Sequence, residues 1–398
     1  VDFTVRTGLN SWDKTRDSSI RRFTFFSRGP IGSDLDTLRL PSLEDIIFDE
    51  TIDPDGWQLE EVTNSTDAYT GLQSIDAWHV GLDLAISDSW QFSAGFRDEQ
   101  SYLETTTSNI FDPGGEPILT TQATDDIFPY GTVTWIRGDH QVRAGYSETI
   151  NRPDFKELSP SQYRDPLLDR FVQGNPNLLP AFITHYDIRW DYYFNPGEFI
   201  SFGVFLKDFE MPIETVILAS AGARLTTFSN AETAENFGWE FEFYKTFDFL
   251  DDWWGWGEIL GNFYLNTNYA WIDSEITLPE DTGIQTNANR PLQGQSPYVW
   301  NFQIGYDDPE REINAALLYN VFGERIVEVG VAGAPDIYEQ PRPSLDFVYA
   351  QSFGDWRLKG SLKNILNPER KLTQGEEVTR LTQPIGWELS LGVEYTFR

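Results

Sequence analysis

Every second residue from Trp387 to Phe397 is apolar: Trp387, Leu389, Leu391, Val393, Tyr395 and Phe397. The residues between them, Glu388, Ser390, Gly392, Glu394 and Thr396, are polar or tiny. A strand points successive side chains to opposite faces, so this stretch predicts one wholly apolar face and one polar face. The same code recurs along the chain. Trp78, Val80, Leu82 and Leu84 alternate with His79, Gly81 and Asp83, and Trp90, Phe92, Ala94 and Phe96 with Gln91, Ser93, Gly95 and Arg97. Tyr298 to Tyr306, Tyr186 to Phe194 and Phe237 to Phe243 repeat it. Aromatics close the apolar rows and carboxylates lie opposite, the pattern of a transmembrane barrel with lipid outside and water or protein inside.

The connections support that reading. Short ones are expected at Ser87–Ser89, Arg137–His140, Asn195–Glu198, Asp248–Trp254, Asp307–Arg311 and Phe353–Asp355. Between them fall long ones, at about 104–126, 151–180, 209–236, 273–296, 322–342 and 365–385. Outer-membrane barrels pair short periplasmic turns with long extracellular loops. The alternation therefore predicts an all-β antiparallel transmembrane barrel with about fourteen strands present. The first begins at residues 3–9, and the last ends on the periplasmic side. Segments 29–66, 104–126 and 151–180 are expected together at the extracellular end. Residues 22–26 read equally as an extension of the first strand or as part of a hairpin.

Composition closes off other classes. The chain has 398 residues, with 63 Asp and Glu against 29 Lys and Arg and a net charge of −34. Nucleic-acid binding needs a basic footprint, so that partner is excluded. Fourteen Trp and 29 Phe argue against disorder despite the charge. The absence of Cys removes disulfide frameworks and thiolate metal sites. No window approaches the roughly 20 apolar residues of a membrane helix, a test that barrel strands escape. Catalytic signatures are missing too: there is no Gly-x-Ser-x-Gly elbow or phosphate loop, and His79, His140 and His185 are the whole histidine complement. The expectation is a protein that is not an enzyme and carries neither cofactor nor metal. The acidic run Asp49–Asp55 offers oxygen ligands for calcium but lacks a regular ligand spacing, which favours a solvated surface.

Four segments carry more than alternation. Asn151-Arg152-Pro153-Asp154-Phe155 leads into Gly174-Asn175-Pro176-Asn177-Leu178-Leu179-Pro180. Pro212-Ile213-Glu214, Tyr338 to Asp346 and Lys363-Asn364-Ile365-Leu366-Asn367-Pro368 follow. In this order and spacing, together with the terminal strand, they resemble the C-terminal portion of TonB-dependent outer-membrane receptors. Phe397 at the penultimate position resembles the C-terminal signal of outer-membrane barrels, with Arg398 a departure. The resemblance implies a barrel of twenty-two strands around an N-terminal plug domain, so the plug and about eight strands are expected ahead of Val1. It implies uptake of a scarce solute of the siderophore, vitamin or oligosaccharide class with energy from the TonB complex, reached through the missing plug. Outer-membrane lipid and lipopolysaccharide are the implied surroundings, and a surface protein partner remains open. The alternatives are a passive channel of about fourteen strands and a barrel that anchors a surface assembly.

Pro and Gly in 151–180 read first as loop architecture, because those residues set turn geometry. Arg152 and Arg342 have more to offer, since a guanidinium can fix a loop on carboxylates or present itself to an anionic ligand. With Asp154 beside Arg152, and His185, Asp187 and Arg189 in one luminal row, they form the candidate ligand-binding set. A hydrogen-bonded luminal histidine is the plainer reading of His185.

Overall fold

Among the described residues of the computed structural model, fourteen strands pair side by side into one antiparallel sheet. The structure describes residues 1–27, 47, 52–54, 56–63, 66–107, 116–165, 170–218, 225–250, 257–279, 285–375 and 378–397. In chain order the wall strands are β1 (Asp2–Ser19), β2 (Ala68–Ser87), β3 (Trp90–Thr107), β4 (Ile118–Arg137), β5 (His140–Asn151), β6 (Ala181–Asn195) and β7 (Glu198–Glu210). They continue as β8 (Thr233–Thr246), β9 (Phe263–Thr277), β10 (Tyr298–Asp308), β11 (Ile313–Phe322), β12 (Ser344–Phe353), β13 (Trp356–Lys363) and β14 (Glu388–Tyr395). Each pairs with its neighbour in sequence, as an up-and-down wall requires.

Register fixes the faces. Leu9 of β1 lies opposite Trp78 of β2, Phe92 of β3 opposite Val133 of β4, Trp300 of β10 opposite Tyr269 of β9, and Leu391 of β14 opposite Gly360 of β13. These rows make one continuous apolar face, on which Leu391 is 75% exposed. The opposite face carries His79, Asp187, Arg189, Glu242, Asn301 and Glu394, as the alternation predicts. Aromatic contacts run along the outer face, including Trp78–Phe96, Phe202–Trp239 and Trp300–Tyr319.

The wall is uneven in height. β2 and β4 have 20 residues each, whereas β13 and β14 have 8. At about 3.3 Å per residue, twenty residues reach roughly 65 Å, well beyond the ~25 Å apolar band of an outer-membrane barrel. The surplus corrects two sequence expectations. Much of 104–126 is strand, because β3 runs to Thr107 and β4 starts at Ile118. Likewise β1 continues to Ser19 rather than stopping near residue 9. The extensions carry Thr, Gln, Asp and Glu at lipid-free heights, so they lack the apolar rows that mark a strand in sequence. Phe23–Ser27 pairs with Trp57–Glu61, which settles that stretch as a hairpin. The connection expected at Asp248–Trp254 is longer, spanning a 3-10 turn at Asp248–Leu250 and a helical turn at Gly257–Leu260. Most of 29–66, including Asp49, Glu50 and Asp55, lies outside the described residues.

The long connections build structure of their own. Ile213–Leu218, Leu225–Asn230, Arg170–Gln173 and Gln162–Asp165 form one four-stranded sheet. Arg325–Glu328, Ile337–Glu339, Glu369–Gln374 and Val378–Pro384 form another. The buried apolar cluster gathers at this end, where Phe155, Leu158, Val172 and Leu178 of the 151–180 connection pack on Tyr69 and Leu103 of the wall. Segment 151–180 thus lies with the long connections, as expected.

The register predicts an asymmetric response to charge. Leu391→Arg should cost about 2–4 kcal/mol near the bilayer midplane, while a polar change at Ser390 costs little. Reversible unfolding of the full-length protein in lipid vesicles measures both. Equal costs at the two positions would contradict the assignment of faces.

Candidate ligand site

Arg152, Pro153, Asp154 and Phe155 act as a docking device. Arg152 follows the last residue of β5 and turns into the wall, where Nη1 donates to Glu99 Oε1 at 2.5 Å and Nη2 to Thr124 Oγ1 at 3.3 Å. Asp126 stands 3.6 Å from the same guanidinium. Asp154 caps the helical turn Phe155–Leu158 in a capping box with Glu157, and Lys14 lies 3.4 Å away. This reciprocal arrangement satisfies amide groups that a helix start leaves open. Phe155, 1% exposed, lies flat on Gly71 of β2; a Cβ there would come within 2.6 Å of the ring. Gly174 is packed so closely on the Ser159 carbonyl that a side chain would collide with it. Asn175 then donates to the Phe228 carbonyl at 2.9 Å, joining 174–180 to its neighbouring connection.

The two loop sheets are tied together by charge. Arg290 and Glu214 form a bidentate pair at 3.2 and 2.6 Å, with side chains 0% and 4% exposed. The Gln293 amide donates to Glu214 Oε1 at 3.0 Å, and Gln293 Nε2 donates to the Val327 carbonyl at 2.7 Å. Arg170 reaches Glu328 at 2.7 Å. In the second sheet Arg325 and Arg370 both hold Glu339, at 2.7 and 2.9 Å. Burial pushes the Glu339 carboxyl up, but the two guanidiniums outweigh it and hold the group below its ordinary value. Between the sheets lies a crevice of about 450 Å³, lined by Asp165, Glu214, Gln293, Arg325 and Arg370 among others.

Inside the wall, β5–β8 present a charged face. Arg189 is bidentate to Glu242 at 3.2 and 2.9 Å and donates through Nε to Asp191 at 2.7 Å. His185 Nε2 lies 2.8 Å from Thr149 Oγ1. Asp187 and Arg189 line a hollow of about 450 Å³ with Arg143 and Glu240. Arg143 sits directly opposite Arg189 and forms no ion pair among the described residues. Among the described residues, no group of three or more His, Asp or Glu side chains is placed to hold a metal ion.

The candidate set is therefore divided. His185, Asp187 and Arg189 share one luminal strand face, Arg152 and Asp154 hold the inserted loop, and Arg342 precedes β12 at the long-loop end with a buried, unpaired Nε. Sequence reasoning missed Arg290, although its partner Glu214 lies in one of the motifs. It also missed Arg143, whose position on the polar parity of β5 was the available signal.

A family model described as the outer membrane protein beta-barrel family matches residues 42–371. The ferric-catecholate import receptor Fiu from E. coli K12 superposes with a TM-score of 0.61 at 13% identity, covering 93% of this chain and 48% of that one. The siderophore receptor PiuA from Acinetobacter baumannii gives 0.61 at 11% identity, with coverage of 99% and 53%. The hemophore receptor HasR from Serratia marcescens, solved as a double mutant with its hemophore HasA and heme, gives 0.53 at 13% identity, with coverage of 99% and 60%. The chain thus spans about half the length of the first two structures and somewhat more of the third. At these identities the likeness is one of fold. No curated protein matches the chain in sequence.

Two outcomes follow from the loop ion pairs. Arg290→Met strands a buried carboxylate and should favour local opening by about 3–5 kcal/mol, which Glu214→Leu in the same chain largely restores. Hydrogen exchange at the Thr215 amide, which donates to Gln293 Oε1, reads this directly. Glu339 supplies a pH dependence. Its folded pKa lies below the ordinary 4.5, so its stabilisation is complete above that value and is lost as pH falls through the lower, folded one. Thermal unfolding of the loop region between pH 7 and pH 3 should show this loss, and Glu339→Gln should flatten it.

Proposed function

The chain belongs to the outer membrane protein beta-barrel family, and on that premise we propose that it forms the C-terminal part of the wall and most of the outer loops of a TonB-dependent uptake receptor. The observation that carries the reading is the pairing of a polar luminal face with long connections folded into two ion-paired sheets over one mouth. A passive pore has no need of loops held together by buried ion pairs, whereas a receptor must present a shaped surface at the cell exterior. The fold it shares with siderophore and hemophore receptors supports the same class. In this reading the loops capture a scarce solute, and a plug moved by the TonB complex admits it through the lumen.

The sheet margins support a larger wall. Among the described residues β1 pairs only with β2, and β14 only with β13. A margin in lipid would leave a row of unpaired amides and carbonyls, each costing several kcal/mol, which supports a wall with further strands against it. Leu9, 89% exposed, lies on that first margin.

Uptake decides the function. Cells carrying the full-length protein should take up one of a panel of ferric siderophores, vitamin B12 and oligosaccharides saturably, and collapse of the proton-motive force should abolish it. Uptake that is linear in concentration and indifferent to energy would favour the passive channel; retention of a surface protein without uptake would favour the anchor. The margins have a separate test in this Cys-free chain. Val5→Cys combined in turn with Cys at 389, 391 and 393 should give no disulfide, since bridged Cα atoms must approach to about 4.4–6.8 Å. Efficient bridging at one of them would mean that fourteen strands close alone.

A further inference from the structure

The luminal face of β9–β12 differs in kind from that of β5–β8. Asn266 and Asn268 occupy alternate inward positions on β9, Asn301 and Gln303 do so on β10, and Asn320 does so on β11. Register sets Asn268 opposite Asn301, Asn301 opposite Asn320, and Asn320 opposite Ser344 of β12. The amides are joined in series. Asn320 Nδ2 donates to Asn301 Oδ1 at 2.6 Å, and Asn301 Nδ2 donates to Asn268 Oδ1 at 2.7 Å. One step along the strands, Gln303 Nε2 donates to the Tyr264 hydroxyl at 2.9 Å. The Tyr264 ring lies over Gly305, where any side chain would collide with it, and Tyr244 sits 5.8 Å away.

The amides border a hollow of about 270 Å³, while Tyr264 and Tyr244 line an adjoining one of about 580 Å³ that shares Asn266 and Gln303. The single carboxylate of the first, Asp346, is already engaged by the Asn364 amide at 2.7 Å and the Ser344 hydroxyl at 3.2 Å. In a chain of net charge −34, a patch made mostly of amides, with one carboxylate already hydrogen-bonded, sets a ligand preference. The series leaves both protons of the Asn268 amide and the Asn320 carbonyl uncommitted among the described hydrogen bonds, so the row offers donors at one end and an acceptor at the other. Neighbouring strands stand about 4.8 Å apart, which spaces these groups along the wall.

We propose that this patch is a binding station for a neutral, polyhydroxylated solute, an oligosaccharide, on its way through the lumen; the inference rests on the uptake-receptor reading. A sugar hydroxyl both donates and accepts, and so matches an amide at each point of the row. In the adjoining hollow, beside Asp248 and Asp307, the two tyrosines offer apolar ring faces with polar edges to the C–H face of the next sugar ring. An anionic metal chelate gains no ion pair from amides and meets a lumen rich in carboxylates. A polar row of this kind also discriminates, because a solute without hydroxyls leaves its amides unpaired.

The test is calorimetric titration of the purified full-length protein with maltohexaose, cellohexaose and mannohexaose, with ferric citrate as the charged control. At least one hexasaccharide should bind saturably, and Asn301→Ala and Asn268→Ala should each weaken it about tenfold while the melting temperature holds. Asn301→Asp, which keeps the side chain's shape, repeats the measurement should the alanine variant misfold. Unchanged affinity in the variants overturns the inference. So does a lowered melting temperature with affinity intact, which would make the row a contact for a plug. Binding and energised uptake of ferric citrate with no hexasaccharide bound overturns it too, yet leaves the receptor reading standing. Absence of saturable uptake for every solute in the panel would defeat that reading as well.

Discussion

Lipid offers no partner to a backbone amide or carbonyl, and the wall is the consequence. Each such group inside the bilayer must be paired within the sheet, so the ladder runs unbroken from β1 to β14. With the backbone committed, only side chains distinguish one face from the other. The period of two then assigns Trp300, Phe302 and Ile304 to lipid and Asn301 and Gln303 to the lumen. Irregular backbone is confined to the two ends, and elaboration collects at the end where the long connections meet.

That end is held by the same interactions that keep it shaped. Arg152 on Glu99, Phe155 on Gly71 and the cap at Asp154 fasten one connection to the inner wall. Arg170 with Glu328 fastens the two loop sheets to each other, and Arg290 with Glu214 fastens the first of them to the segment paired with β9. A buried ion pair adds little net stability over an apolar pair of the same size, but it tolerates only one geometry. The gain is a defined mouth above a lumen with an ion-paired quarter and an amide-lined quarter. The proposed receptor role needs that definition, because loops that capture a solute must present the same groups to each arrival.

The wall was legible because lipid enforces a strict code. Trp78 to Leu84, Tyr298 to Tyr306 and Trp387 to Phe397 declare strand, face and span together, and the fourteen-strand count follows from them. Where lipid stops, legibility stops. The upper parts of β3 and β4 alternate polar with polar, so Thr105 and Thr120 look like loop residues although they pair in the sheet. The loop sheets are short and joined across long separations, as Leu225 with Phe171, and no local period announces such pairing. Arg152 could be read as loop anchor or as ligand contact, and its partners at Glu99 and Thr124 lie tens of residues away. The amide row was hidden for a related reason: its residues are unremarkable singly and meet only through the register of three strands.

The assignment of faces underlies every other conclusion, and site-directed spin labelling tests it most directly. Single cysteines from 299 to 305 in the full-length protein, labelled in native outer membranes, report their contact with oxygen in lipid and with a water-soluble nickel chelate. Labels at 300, 302 and 304 should be relaxed by oxygen and those at 301 and 303 should not, with the chelate giving the opposite or, beneath a plug, a weak response. Oxygen contact that fails to alternate, or that peaks at 301 and 303, would contradict the barrel as described.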